Sequence, residues 1–375
     1  MSDSEFLTET TWGEIVSIKQ GKYVAKSDLA PDRTIRTPVP TVGANGILGY
    51  VNRATLDRRV ALVTCRGSNC GLIQFPREPV WVSNNAMSLD AGSEEDNTFV
   101  HYLALNTNFS DVVSGSAQPQ ITAGPLKAKR VLVPPKEHWP SIAATLAALD
   151  DKVESNRRKV RAAEELAFSY FKSWSSMAPK IEFGEVAELV TDRVKVADIP
   201  PKGTYLGLEH FATDGRGLMN TGSTSFITST ALSFEAGDVL YGKLRPYFRK
   251  IARPGFNGLC TSELWVLRAR PGHTQSSVHA IAQSPEFSDL ATASSGGTRM
   301  PRADWNLMAK TPVPDMRSVL DSAREKLLEV LWANTCDLRD ENLRLTALRD
   351  VLLPALLSGK IRTTKIDETA QETLK

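Results

Sequence analysis

The stretch GDVLYGKLRPYFRKIARPGFNG, residues 237–258, concentrates the residue types that grip a polyanion. Lys243, Arg245, Arg249, Lys250 and Arg253 fall within eleven positions, and no acid occurs between Asp238 and Glu263. Tyr241, Tyr247 and Phe248 are interleaved with them. Arginine supplies a planar fork for a phosphate or for the O6/N7 edge of guanine, and closely spaced cations release counterions from a duplex. A solvated basic face on a strand pair has the same composition, so this stretch alone leaves both readings open.

A second group of candidates lies in SSGGTRMPRADW, residues 294–305. Ser294, Ser295 and Thr298 offer hydroxyls, Arg299 and Arg302 offer cations, and Gly296-Gly297 lets the backbone approach a ligand closely. SGSAQPQ, residues 114–120, stands at the matching place earlier in the chain with Ser114, Ser116, Gln118 and Gln120. Glutamine can bond adenine bidentately where arginine prefers guanine, so the two loops carry different reading heads. TVGANGILG (41–49) and CRGSNCG (65–71) add Asn45, Arg66, Ser68 and Asn69. Each of these is also an ordinary polar turn if taken alone.

Catalytic patterns are missing. There is no G-x-G-x-x-G loop, no Asn-Pro-Pro-aromatic tetrad of amino-methylating enzymes, and no Gly-Lys followed by Ser or Thr. The five histidines have no metal spacing, and Cys65 and Cys70 lack a second ligand pair, so we expect no catalytic residue and no metal. Apolar content of 41% and charged content of 23% are those of a globular chain. The net charge of +2 argues neither for nor against a polyanionic partner. No apolar run reaches bilayer length, and MSDSEFLTETT lacks a signal peptide's apolar region. These features predict a cytoplasmic protein without a membrane partner.

The elements that position these loops occur twice. WGEIVSI at 12–18 returns as FGEVAEL at 183–189, 171 positions later. In the first half, strand-like runs VALVTC (60–65), GLIQF (71–75) and VWVSNNAMSL (80–89) precede a helix-like stretch, NTFVHYLALNTNFSDVV, and then KRVLVPP. In the second, DVLYGK (238–243), RKIA (249–252) and SELWVLRA (262–269) precede the helix-like SSVHAIAQSPEFSDLATA (276–293) and then KTPVPD. Val133-Pro134 and Val313-Pro314 punctuate the two ends, so the chain reads as a duplication.

A long helical segment follows each Val-Pro pair. From about Pro140 to Ser176, Ile142, Leu146, Leu149, Val153, Asn156, Val160, Ala163, Ala167 and Tyr170 form a seam with coiled-coil period. From about Arg317 to Leu357 the seam is Leu328, Leu331, Thr335, Leu338, Asn342, Leu345, Arg349, Leu352 and Leu356. Pro354 should bend or end this helix, and Gly359 should stop it. The duplication favours antiparallel pairing of the two helices; the competing arrangement packs each on its own globule. The expected fold is α+β, with globular domains at 1–135 and 181–314, spacer helices at 136–180 and 315–360, and a flexible tail at 361–375.

VPTVGANGILGYV, the SGSAQPQ-to-VPP stretch, YLGLEH, GDVLYGKLRPYFRKIA with CTSELWVLR, and LTALRDVLLPALLSG together resemble the DNA-specificity subunit of Type I restriction–modification systems. The resemblance runs through nearly the whole chain in order. It implies two similar target-recognition domains related by a pseudo-two-fold axis and joined by two spacer helices that form an antiparallel coiled coil. Each domain would read half of a bipartite, asymmetric double-stranded DNA site, and the helices would set the gap. Two modification (methyltransferase) subunits would dock there, carrying the catalysis and the S-adenosylmethionine, and restriction (translocase/nuclease) subunits would join them. On that reading the interface comprises Asn45, Arg66, Ser68, Asn69, Ser116, Gln118 and Gln120 in the first half. In the second it comprises Lys243, Arg245, Tyr247, Arg249, Lys250, Ser295, Thr298, Arg299 and Arg302. The alternative is a coiled-coil scaffold that assembles partner subunits and touches DNA only incidentally.

Overall fold

A computed structural model of the chain describes residues 6–115, 118–212, 215–296 and 300–362. It divides into two compact units, one built from residues up to Asp151 and from Thr346 onward, the other from Lys152–Leu345. Each unit thus holds one sequence repeat together with parts of two long helices, Trp139–Ser175 and Ser322–Leu357.

The repeated aromatic-Gly-Glu motif is a single helical turn, Trp12–Ile15 in the first unit and Phe183–Val186 in the second. The aromatic ring of each is fully buried. Its N–H closes the repeat, Trp12 to the Lys129 carbonyl at 3.0 Å and Phe183 to the Thr311 carbonyl at 2.9 Å. Glycine follows because a Cβ there would lie 3.2 Å from a carbonyl oxygen of the returning chain, that of Lys127 or of Ala309. Glutamate comes third because its carboxylate accepts the N–H just before the turn: Glu14 from Thr11 at 2.9 Å, Glu185 from Glu182 at 3.1 Å. The strand preceding each turn pairs with the Val-Pro strand that ends the repeat, Thr8–Thr11 with Arg130–Val133 and Lys180–Glu182 with Pro312–Pro314.

The sheets repeat as well. In the first unit an antiparallel sheet orders Ser17–Gln20, Ala86–Asp90, Ala61–Thr64 and Ile73–Gln74. In the second the same order is Ala187–Val190, Leu264–Ala269, Val239–Gly242 and Ile251–Ala252. Beside it, each unit has a second sheet containing a parallel pair, Val39–Gly43 with Trp81–Val82 and Thr204–Leu206 with Gly258–Cys260. The expected strand at 80–89 is therefore two strands in different sheets, Trp81–Val82 and Ala86–Asp90, parted by a turn at Ser83–Asn85. The helical stretch at 97–113 is a helix only over Glu94–Leu105, capped by Ser93. That at 276–293 is two helices, Gln275–Gln283 and Pro285–Ala293, because Pro285 cannot extend the first and Ser284 caps the second.

Both helices turn a histidine inward, in VHYLAL (100–105), where it is half-buried, and in VHAIAQ (278–283), where it is buried. His101 stacks on Phe75 at 4.4 Å, and His279 packs on Trp332 at 4.3 Å. Burial pushes His279 well below the usual imidazole range, and it holds His101 down at about 4, where Asp150 opposes the shift and nearby arginines add to it.

Within the first unit the long helices are antiparallel. Asp150 takes an ion pair from Arg349 at 2.8 Å, while Ile142 and Leu146 share a core with Leu353, Leu356 and Leu357. Within the second, Asn156 Nδ2 donates to Glu341 at 2.6 Å and to Asn342 at 3.1 Å, and Ala167 and Phe171 share a core with Leu328 and Trp332. The two seam amides therefore meet each other. The seam shifts near its end: Tyr170 is 37% exposed and Phe171 is buried instead, opposite a buried Trp332 that the heptad count passes over. The second helix begins at Ser322 rather than near Arg317, continues through Pro354 and stops at Leu357 ahead of Gly359 (φ 74°). Ile361 packs on the first unit's core, and the tail from 363 on lies outside the described residues.

Two outcomes follow. Phe183→Ala removes a fully buried ring and should cost about 3–5 kcal/mol in chemical denaturation of the second unit. His101 refuses a proton in the native state that the unfolded chain accepts below its ordinary pKa of about 6.5. It therefore removes stability as pH falls from there toward about 4. His101→Phe should make the decline of melting temperature on acidification shallower than in the parent chain.

Candidate nucleic-acid interface

The candidate loops converge at one end of the central strand of each unit. In the first unit that strand, Ala61–Thr64, runs into the turn Cys65–Gly71, where positive φ at Gly67 and Gly71 (both 91°) reverses the chain. The Gly67 N–H bonds the Pro119 carbonyl at 3.0 Å, and the Ile121 N–H bonds the Cys65 carbonyl at 3.0 Å. This fastens Gln118 and Gln120 beside Arg66. Asn69 Nδ2 donates to Asn45 Oδ1 at 2.8 Å, which ties in the hairpin turn between the strands Val39–Gly43 and Gly46–Val51. Asn45, Arg66, Ser68, Asn69, Gln118 and Gln120 are all exposed. Ser116 lies outside the described residues. Cys65 and Cys70 support the turn from beneath; burial raises both thiols above the ordinary range, and Cys70 Sγ donates to the Pro119 carbonyl at 3.0 Å.

The second unit repeats the construction. The strand Val239–Gly242 runs into Lys243, whose carbonyl accepts the Ala303 N–H at 2.9 Å, and the Arg245 N–H bonds the Pro301 carbonyl at 2.7 Å. Arg302 is thereby set beside Leu244. A short turn, Pro246–Phe248, follows, flanked by two left-handed non-glycine residues, Arg245 (φ 52°) and Arg249 (φ 52°). It holds Tyr247 and Phe248 half exposed, with their rings 4.7 Å apart. Arg245 and Arg249 are exposed, and Arg249 has a surface ion pair with Asp289 at 3.1 Å.

Other cations of the stretch are spent elsewhere. Lys250 is half-buried, and its Nζ donates to the Leu208 carbonyl at 2.5 Å. Arg253 turns inward to Glu329 at 2.6 Å with its side chain only 9% exposed, so it is not part of the exposed stretch. Ser295 Oγ donates back to the Thr292 carbonyl at 2.6 Å. Thr298 and Arg299 lie outside the described residues.

Glu263 is a member of the site that the sequence reading passed over. Its carboxylate takes Arg302 Nε and Nη2 at 2.8 Å each, and its backbone carbonyl takes the Lys243 N–H at 3.0 Å. Arg302 beside it holds the Glu263 carboxyl below the usual range, and the carboxylate in turn raises Arg302. The signal available in sequence was a lone acid opening the apolar run ELWVL. Among the described residues no group of His, Cys, Asp or Glu could hold a metal, and no helix is long and apolar enough to cross a membrane.

This construction, one polar edge built twice on the same strand-and-loop frame with helices packed beneath, defines a duplicated α+β scaffold. Residues 7–165 match the family model of the Type I restriction modification DNA specificity domain. The chain is 29% identical over 147 residues to the specificity subunit of the Type I restriction enzyme EcoprrI of Escherichia coli, covering 39% of this chain and 36% of that one. It is 25% identical over 91 residues to the EcoDI specificity subunit of Escherichia coli, covering 24% of this chain and 19% of that one. These matches span about a third or less of the curated relatives' own length. The fold is similar to that of the Type I restriction–modification S subunit from M. genitalium, with TM-score 0.61 and 16% identity over 94% of this chain and 96% of that one.

The two left-handed arginines give a stability test. A left-handed L-residue costs roughly 1–2 kcal/mol, which glycine avoids at an entropic cost of about the same size. Arg245→Gly with Arg249→Gly should leave the melting temperature of the chain unlowered, whereas Arg253→Gly, which unpairs Glu329 and opens a buried site, should lower it.

Proposed function

We propose that the chain is a non-catalytic, sequence-specific DNA-recognition subunit. Its two recognition domains, residues 1–135 and 181–314, each read half of a bipartite duplex site. One observation carries the reading: the polar edge is built twice with the same backbone hydrogen bonds, yet bears Gln118 and Gln120 in one copy and Arg302 in the other. Two copies of one frame with different reading residues suit an asymmetric target.

Contacts sort into two kinds. Exposed Arg245 and Arg249, with Lys243 behind them, hold phosphates. Arg66, Ser68, Asn69 and Asn45 line the first edge beside Gln118 and Gln120, and the base-reading groups are the two glutamines there and Arg302 with its loop in the second. Tyr247 offers its exposed ring to the backbone or a groove. The spacer helices dock modification subunits, which bring S-adenosylmethionine and the methyl-transfer chemistry, and restriction subunits join that assembly. Likeness to specificity subunits in sequence and fold supports these partners.

Replacing Arg245 and Arg249 together with glycine, which the left-handed φ of both residues accommodates, should weaken binding to every duplex. The slope of log affinity against log salt should flatten by about two, as expected for two lost phosphate contacts. Filter-binding titrations over a salt series measure this; an unchanged slope would take the basic turn out of the interface.

A further inference from the structure

We propose, on the reading that the second unit meets duplex DNA, that Arg302 reads a guanine end-on and that Glu263 is its positioning residue. A guanidinium has five N–H donors in one plane. Glu263 occupies one side of that plane, taking Nε and one hydrogen of Nη2 at 2.8 Å each. The far end keeps both hydrogens of Nη1 and the second of Nη2. Those parallel N–H groups match the O6 and N7 acceptors on the major-groove edge of guanine.

The rest of the geometry holds this fork in place. Arg302 and Gly296 exchange backbone hydrogen bonds at 3.3 Å, and the next residue, Ala303, is bonded to Lys243. Lys243 is in turn bonded to the backbone of Glu263. Both partners of the ion pair therefore hang from one strand end, and a long side chain that would otherwise sample many rotamers is fixed before binding. The Arg302 side chain is 46% exposed against 25% for Glu263, so the arginine is the outer partner. An ion pair this exposed adds little to stability, so a structural role accounts poorly for it.

The first unit supplies the comparison. The Asn85 carbonyl accepts the Cys65 N–H at 2.8 Å just as Glu263 accepts Lys243, and Ile121 follows Gln120 as Ala303 follows Arg302. Asn85 and Gln120 thus stand where Glu263 and Arg302 stand. Both members of the ion pair are exchanged together for amides on an unchanged frame, as a reading pair would be.

The test is selection from a pool of randomised duplexes by the full chain and by its Arg302→Ala, Arg302→Lys and Glu263→Gln variants, with a melting curve for each. The parent chain should enrich sequences with a fixed guanine in one half-site. Arg302→Ala and Arg302→Lys should lose preference at that one position by on the order of tenfold to a hundredfold, with the other positions kept. Glu263→Gln should keep the guanine but weaken the preference. The inference is overturned if the arginine variants retain the guanine, or blur all positions alike. It is equally overturned if Glu263→Gln instead abolishes a cytosine preference that Arg302→Ala leaves intact, because the carboxylate would then be the reader. A parent chain that enriches no sequence removes the recognition reading along with the inference; enriched sequences untouched by the arginine variants remove the inference alone.

Discussion

Each repeat is closed where the N–H of a buried aromatic meets a carbonyl just ahead of the returning strand, Trp12 to Lys129 and Phe183 to Thr311, beside the paired end strands. Because that bond and the strand pairing hold entry beside exit, the chain enters and leaves each globule at one place. A long helix begins or ends there in both cases. Trp139 opens the first helix with its indole N–H on the Pro134 carbonyl at 3.0 Å and its ring stacked on Phe99 at 4.2 Å. Two helices so anchored in one unit are side by side from the start, and burying their seams against each other follows without a long loop to close. The tight glycine, the capping glutamate and the pairing of the end strands all serve to make this closure possible.

The opposite end of each sheet is where the frame leaves room for change. The central strand of each unit ends in a turn whose carbonyl is taken by the residue after an exposed polar side chain, Ile121 after Gln120 or Ala303 after Arg302. These bonds involve only backbone, so the side chains at Gln120 and Arg302 can differ without disturbing register. Two of the exposed arginines are accompanied by a countercharge, Arg302 by Glu263 and Arg249 by Asp289. The inward Arg253 shows the contrasting case, a cation matched to Glu329 and to Ser276 and held for packing rather than for a ligand.

Much of this was legible in the sequence, for physical reasons that can be named. The duplication showed through WGEIVSI and FGEVAEL because aromatic, glycine and glutamate are each required by one contact that leaves little choice of residue. The helices showed through because a seam buried over many turns imposes a period. Their register slipped at Tyr170 and missed Trp332 because packing against a globule, rather than a second helix, sets burial near the ends. The break at Ser284-Pro285 was written in the residues but overridden by apolar periodicity on both sides. The matching place of SGSAQPQ and SSGGTRMPRADW in the repeat was legible, but the convergence of Asn45, Arg66 and Gln120 was not, since hydrogen bonds between distant turns have no sequence period. Arg253 and Lys250 looked equivalent to Arg245 in a charge count, which carries no information about direction. Glu263 showed only as a lone acid, and its pairing was invisible because its partner lies 39 positions away.

What is alike and what differs between the halves then sorts by burial. Trp12 and Phe183, Gly13 and Gly184, and the Val-His pairs at 100–101 and 278–279 are matched because core exchanges cost kilocalories. Gln118, Gln120, Arg66, Arg245 and Arg302 are exposed, and exchanges at exposed positions commonly stay within about 0.5 kcal/mol of neutral. A duplicated chain organised this way can alter one exposed edge without unfolding it, because the free energy of folding resides in other, buried residues. The ion pair of Glu263 and Arg302 marks the limit of that freedom: exchanging either partner alone leaves the other without the charge it is bonded to, so a neutral exchange there involves two positions at once.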